Sequence, residues 1–304
     1  MSPQPEPVAY FCGRWVPFSE VRLSPNDLGV RQAVTAVERL RTYQQRVFEL
    51  AAHLDRWERT TAALEIRGLP DRSRVEALVT ELLRRNESRL ADGGDVGVTL
   101  LATPGDPADA AGRGGREGRI GPGDGSTFVI HSNRLDEQRI ERFRNQGQPL
   151  VVTDVTQPSP GCWPRDIKVR CRLHYHLADR QARRRTNDPD AGGILLDDDG
   201  SVTETSVANL AIIDNETLIS PPGDRVLPGV TEAVTRRLAD ELAIPWRSKP
   251  LFPDMLRRAE GVLLMGTDAG LWFASSVDGV AKSIHPIYRS LLREFDRRTR
   301  SGSG

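Results

Sequence analysis

Apolar and polar positions alternate over residues 8–17, with Cys12-Gly13 at the centre, which predicts a short hairpin. Residues 36–42 and 45–48 read as two more strands around a second tight turn. The period then lengthens. Leu54, Trp57 and Leu64 mark the apolar side of a helix over 52–66, and Val75, Leu78, Val79, Leu82 and Leu83 stripe another that starts at Ser73. Ser73-Arg74-Val75-Glu76 has the form of a capping box for that second helix. Residues 96–102 and 127–131 predict buried strands, and residues 104–126, rich in Gly, Asp, Ala and Arg, predict a mobile loop.

The second half alternates strands and helices. Residues 150–155 predict a strand and 173–185 a helix. Residues 193–196 and 202–204 form a hairpin around Asp199-Gly200, and 210–213 with 217–219 form another around Asn215. A helix starts at Val230, with Val234, Leu238 and Leu242 at four-residue spacing, and 261–265 is a buried strand ending at Gly266. No internal repeat is present. The pattern predicts a mixed α/β and α+β chain in two domains: a smaller α+β domain over 1–135 and a larger α/β domain over 140–304 carrying Lys168, with the site between them.

Composition narrows the class. Apolar residues at 38% and charged residues at 28% describe a globular protein, and no apolar run approaches the roughly 18 residues a membrane helix needs. The first ten residues have neither a basic nor an apolar segment of the kind that marks export. Three widely spaced cysteines, Cys12, Cys162 and Cys171, suggest neither a disulfide framework nor a metal site, and a reducing cytoplasm is the expected location. Basic and acidic residues balance at 42 each, without the basic excess of a nucleic-acid protein. Of the 42 basic residues only three are lysines, Lys168, Lys249 and Lys282, so 39 are arginines. Arginine replaces lysine in charge but not in amine chemistry. Lys249 and Lys282 read as survivors of that bias; Lys168 has chemistry around it.

Leu227-Pro228-Gly229-Val230-Thr231 leads straight into a helix, whose free N–H groups suit a phosphate. Gly266-Thr267-Asp268-Ala269-Gly270 follows a buried strand and offers a hydroxyl and bare amides, and Arg56 lies early on a helix. Each of these alone is common. Lys168, beside Ile167 and before a helix, is placed to be partly desolvated and nucleophilic toward an aldehyde. Glu204, at the end of a hairpin strand, is a carboxylate that could keep a pyridine nitrogen protonated.

Taken in order, these pieces resemble the class IV aminotransferase family, the fold-type IV group that holds branched-chain aminotransferases, D-amino acid aminotransferases and aminodeoxychorismate lyases. The resemblance runs from residue 10 to about 293 and rests on Gly13-Arg14-Trp15-Val16-Pro17, Asn26-Asp27-Leu28-Gly29, Val37-Glu38-Arg39-Leu40-Arg41, His53-Leu54-Asp55-Arg56, Asp166-Ile167-Lys168, Val202-Thr203-Glu204-Thr205-Ser206 with Asn209, Leu227-Pro228-Gly229-Val230-Thr231, and Gly266-Thr267. It implies the D-amino acid aminotransferase-like fold and pyridoxal 5'-phosphate as cofactor. Lys168 would be the Schiff-base lysine and proton shuttle, and Glu204 the partner of the pyridine nitrogen. Arg56, the backbone of Val230 and Thr231, and Thr267 would hold the phosphate, with Asn209 supporting the loop after Glu204. It also implies a homodimer acting on an amino acid and a 2-oxo acid, with no nucleic-acid or membrane partner.

The substrate side departs from the family. After Asp27-Leu28-Gly29 the chain reads Val30-Arg31-Gln32-Ala33-Val34-Thr35, without the family's aromatic residue, and the arginine that some members carry on the strand from Val96 would fall near Pro104 and is absent. Arg41, Arg31 and Arg172 lead the candidates for the substrate carboxylate, with Arg39 and Arg170 behind them; Arg41 is first because branched-chain enzymes keep an arginine there. Glu38 agrees with the aminotransferases, whereas the lyases tend to have threonine; Arg172-Leu173 resembles the lyases. His174 and His176, two apart on a helix, make poor co-ligands. Transamination of a small or branched amino acid is the leading expectation, pyruvate-releasing elimination of the aminodeoxychorismate lyase type the alternative, and a non-catalytic homologue the third.

Overall fold

The computed structural model describes residues 6–87, 94–110 and 125–301, so most of the loop expected over 104–126 lies outside the described residues. The chain separates into two compact units. Among the described residues, the first runs to Leu135 and takes in Ile167–Cys171, and the second holds the rest.

In the first unit the elements are β1 (Val8–Phe11), β2 (Arg14–Pro17), α1 (Leu28–Arg31), β3 (Ala36–Tyr43), β4 (Arg46–Val47), α2 (Leu50–Ala63), α3 (Arg72–Arg85), β5 (Val96–Thr103), α4 (Pro107–Ala110) and β6 (Thr127–Arg134). The strands form one sheet in the order β2-β1-β6-β5-β3-β4, with every pair antiparallel. Both expected hairpins form. Cys12 and Gly13 turn the first at φ 46° and 91°, and Gln44 and Gln45 the second at φ 51° and 63°, which suits two-residue turns with left-handed central residues. Leu54 and Trp57 of α2 and Val75, Leu78 and Leu82 of α3 pack on Leu40, Leu100 and Ile130 of the sheet in one core. Helix α3 begins one residue before Ser73. Its cap is Asp71, whose side chain accepts from Arg74 N–H, while Ser73 Oγ donates to Asp71 rather than forming the expected capping box.

The segment with Lys168, assigned from sequence to the larger domain, groups instead with this first unit. The cause is a short backbone pairing on β3. Val37 N–H donates to the Lys168 carbonyl at 3.0 Å, Arg170 N–H to the Thr35 carbonyl at 3.1 Å, and Val169 bridges Ala36.

The second unit contains α5 (Glu137–Gln146), β7 (Gln148–Thr156), α6 (Leu173–Thr186), β8 (Gly192–Leu196), β9 (Val202–Thr205), β10 (Asn209–Asp214), β11 (Thr217–Ser220), α7 (Val230–Glu241), β12 (Trp246–Ser248), α8 (Pro253–Arg258), β13 (Gly261–Gly266), β14 (Gly270–Val277), β15 (Val280–Ala281) and α9 (Pro286–Ser301). Its sheet runs β12-β11-β10-β13-β14-β7-β8-β9, with β15 paired to β14. β14, β7 and β8 are mutually parallel, as the β7-α6-β8 crossover requires; β9 closes one edge antiparallel to β8, and β12 closes the other parallel to β11 of the β10-β11 hairpin. Gly193 lets α6 approach closely, because a Cβ there would lie 2.6 Å from the Ala178 backbone. No helix among the described residues is long and apolar enough to cross a membrane.

Candidate active site

The residues singled out by sequence divide between the units, and each group is organised locally. In the first unit, β3 places Glu38 on the face covered by α2, where it is fully buried. Arg56 grips it with two nitrogens, Nη2 at 2.6 Å from Oε1 and Nε at 3.0 Å from Oε2, and His53 Nδ1 lies 2.8 Å from Oε1. Burial alone would raise the Glu38 carboxyl, but the Arg56 charge and the His53 contact outweigh it and hold it well below the usual carboxylate range. Burial depresses His53 below its ordinary value, against the pull of Glu38. Arg56, which by composition could pass for one more solvated arginine, is 3% exposed. Lys168 is in the same unit, close enough for its charge to act on His53.

In the second unit, β9 carries Glu204 one residue before its end, 5% exposed. Its Oε1 accepts from Tyr175 Oη at 2.6 Å and Gln157 Nε2 at 2.8 Å, and its Oε2 from Leu227 N–H at 3.2 Å and Asn209 Nδ2 at 3.4 Å. Burial, and then the adjacent Glu204 charge, push the Tyr175 phenol well above its ordinary value, so it stays a donor. Asn209 also donates to the Leu227 carbonyl at 2.9 Å, which ties the strand after Glu204 to the entry of α7. Gly229 precedes that helix with no side-chain cap, leaving its first N–H groups to other acceptors. A Cβ on Gly229 would lie 1.9 Å from Asn209 Oδ1. Thr267 follows β13, and its turn is pinned by Arg144 Nε donating to the Ala269 carbonyl at 3.0 Å. A Cβ on Gly266 would lie 2.5 Å from the Val207 carbonyl.

The three leading substrate-carboxylate candidates differ in their surroundings. Arg41 is 4% exposed and engaged by Asp95 at 3.9 Å, by the Thr42 carbonyl at 3.1 Å and by the Tyr43 ring at 3.9 Å. Arg31 is exposed at the end of α1. Arg172 immediately precedes α6, donates to the Ser206 carbonyl and lies 4.5 Å over the Tyr175 ring, beside the Glu204 network. Sequence reasoning missed Tyr175 and Gln157, since one sits between two histidines in a helix and the other in a turn-rich stretch, and neither spacing announces a carboxylate partner. A cavity of about 840 Å³ in the second unit, lined by residues such as Asp154, Arg185, Arg257 and Asp278, includes none of the candidate residues.

A family model described as amino-transferase class IV matches residues 35–277. The branched-chain-amino-acid aminotransferase-like protein 2 of Arabidopsis thaliana is 25% identical over 293 residues, which are 95% of this chain and 49% of that protein. The chain thus spans about half the length of the curated relatives it matches first. The aminodeoxychorismate lyase of Bacillus subtilis (strain 168) is 25% identical over 235 residues, 77% of this chain and 73% of the lyase. In fold, the chain is similar to the branched-chain aminotransferase of Thermoproteus uzoniensis solved with norvaline, at a TM-score of 0.84 and 20% identity over 98% of this chain and 96% of that one.

Proposed function

The chain belongs to the amino-transferase class IV family, and we propose that it is an aminotransferase moving an amino group between an amino acid, of branched-chain type in the first instance, and a 2-oxo acid. Enzymes of this family use pyridoxal 5'-phosphate. The residues present fit that group: a primary amine at Lys168, the deeply buried carboxylate of Glu204, the clamped guanidinium of Arg56 and an uncapped helix N-terminus at Val230. The observation that carries the reading is the setting of Glu204, whose two oxygens are met by four donors. A carboxylate, which only accepts, can use all of them and still attract a cationic ring nitrogen.

When bound, pyridoxal phosphate supplies a carbonyl with which amines condense and a ring that takes up electron density from the substrate. Lys168 would hold the group through its carbonyl carbon, and its Nζ would carry the proton at the substrate α-carbon. Glu204 keeps a proton on the ring nitrogen. Arg56, the N–H groups of Val230 and Thr231, and the Thr267 hydroxyl hold the phosphate. Glu38 takes two of the Arg56 nitrogens and thereby aims its rigid fork. For the substrate carboxylate, Arg172 moves ahead of Arg41 and Arg31: it adjoins the Glu204 network, whereas Arg41 is held by Asp95 and Tyr43. The reading includes a cytoplasmic homodimer, supported for the compartment by free Cys12, Cys162 and Cys171.

Elimination of pyruvate from aminodeoxychorismate is the second reading, favoured by Arg172-Leu173 and by the Bacillus subtilis relative. Glu38 favours transamination. Incubation with L- and D-amino acids plus 2-oxoglutarate or pyruvate, and separately with aminodeoxychorismate, decides between them. Exchange of amino groups is the expected result; pyruvate and p-aminobenzoate without exchange would reverse the order, and no reaction with any of these would leave the non-catalytic homologue.

A further inference from the structure

Helix α2 carries His53, Arg56 and Thr60 at spacings of three and four, which brings them to one face. His53 and Arg56 meet Glu38 there. Thr60 does something else. It is fully buried, and its hydroxyl donates to the Arg56 carbonyl at 2.9 Å, the bond a threonine inside a helix commonly makes one turn back. With its proton committed, the hydroxyl oxygen accepts from Lys168 N–H at 3.0 Å. The Lys168 carbonyl is taken on its other side by Val37 N–H at 3.0 Å. The lysine backbone is therefore held between strand β3 and helix α2, and the Thr60 bond ends on the residue whose side chain is clamped by Glu38.

We infer that Thr60 is a positioning residue: its hydroxyl fixes the Lys168 backbone against the turn of α2 that bears Arg56, so that the amine and the phosphate holder keep one spacing. The inference rests on the roles proposed for Lys168 and Arg56. It accounts for a hydroxyl at a fully buried point of α2, where valine would have the same shape. Losing one buried hydrogen bond of this kind weakens the arrangement by about tenfold in an equilibrium constant.

The test is the affinity of the apoprotein for pyridoxal phosphate and for pyridoxal, read by absorbance titration, in Thr60→Val, Thr60→Ala and Thr60→Ser. Serine keeps the hydroxyl and is expected within about twofold of wild type. Valine and alanine are expected to weaken pyridoxal phosphate binding about tenfold and pyridoxal binding by less than about threefold, because the spacing to the phosphate holder no longer matters without a phosphate. If valine fails to fold, alanine carries the comparison. Equal losses for both ligands, as general loosening would give, or no loss in either variant, would overturn the inference. Lys168→Ala separates this from the underlying reading. If the imine absorbance of wild type survives in Lys168→Ala, the role of the lysine is wrong; if it disappears there while Thr60→Val binds normally, only the role of Thr60 is wrong.

Discussion

The two oxygens of Glu204 are held unequally. Oε1 takes the shorter bonds, from Tyr175 at 2.6 Å and Gln157 at 2.8 Å, while Oε2 takes the longer ones, from Leu227 N–H at 3.2 Å and Asn209 at 3.4 Å. The phenol makes the shortest of the four, and an O–H to carboxylate bond of this length is about twice as strong as a neutral one. Tyr175→Phe removes that bond and nothing of the ring packing. The carboxylate then turns toward its remaining donors, and kcat/KM for transamination is expected to fall about tenfold, the equivalent of one charged hydrogen bond. Steady-state kinetics of the variant with unchanged kcat/KM would show that Tyr175 serves packing only. At this scale the sequence singles out Lys168, Glu204 and Arg56 as candidates, because an ordered set of motifs marks chemistry-bearing positions. It was silent on Tyr175, Gln157 and Thr60, which matter through partners 29, 47 and 108 positions away in the chain.

The loop-to-α7 junction works as one piece. Asn209 at the start of β10 reaches the Leu227 carbonyl, and Gly229 can enter the helix beside it only because it has no side chain. Gly229 has an ordinary negative φ of −76°, so the constraint is contact and not backbone strain. Gly229→Ala places a methyl 1.9 Å from Asn209 Oδ1, and either the asparagine or the helix must shift. Overpacking of this kind costs about 1–3 kcal/mol. Binding of pyridoxal phosphate by the variant, followed by absorbance titration, is expected to weaken tenfold or more; wild-type affinity would remove the junction from the phosphate site. The hairpins were readable because Cys12-Gly13, Asp199-Gly200 and Asn215 are turn signals between alternating strands. Helices α5 and α9 were not, although α9 buries Tyr288, Leu291 and Phe295. Their apolar positions are thinned by arginines whose charges are settled by distant partners, as Arg144 is by Asp296. Similarly, the Lys168 segment could not be assigned to its unit from local pattern, since three residues of backbone pairing on β3 decide it.

Across the whole molecule, burial depresses His53, His131 and His174, the last to about 4 from an ordinary 6.5. Below pH 6.5 the unfolded chain takes up protons that the native protein refuses, so native stability is full above that value and lost progressively as pH falls toward 4. Thermal melts from pH 8 to 4 are expected to show a plateau and then a decline, made shallower by His174→Gln; a melting temperature that rises on acidification would contradict this. Chemistry and fold meet in the claim that one lysine of three carries the cofactor. Incubation with pyridoxal phosphate, borohydride reduction and peptide mass mapping tests it most directly, because Lys168, Lys249 and Lys282 fall in widely separated stretches of the chain. A phosphopyridoxyl adduct on the Lys168 peptide alone is the predicted result; an adduct confined to Lys249 or Lys282, or none at all, would contradict it.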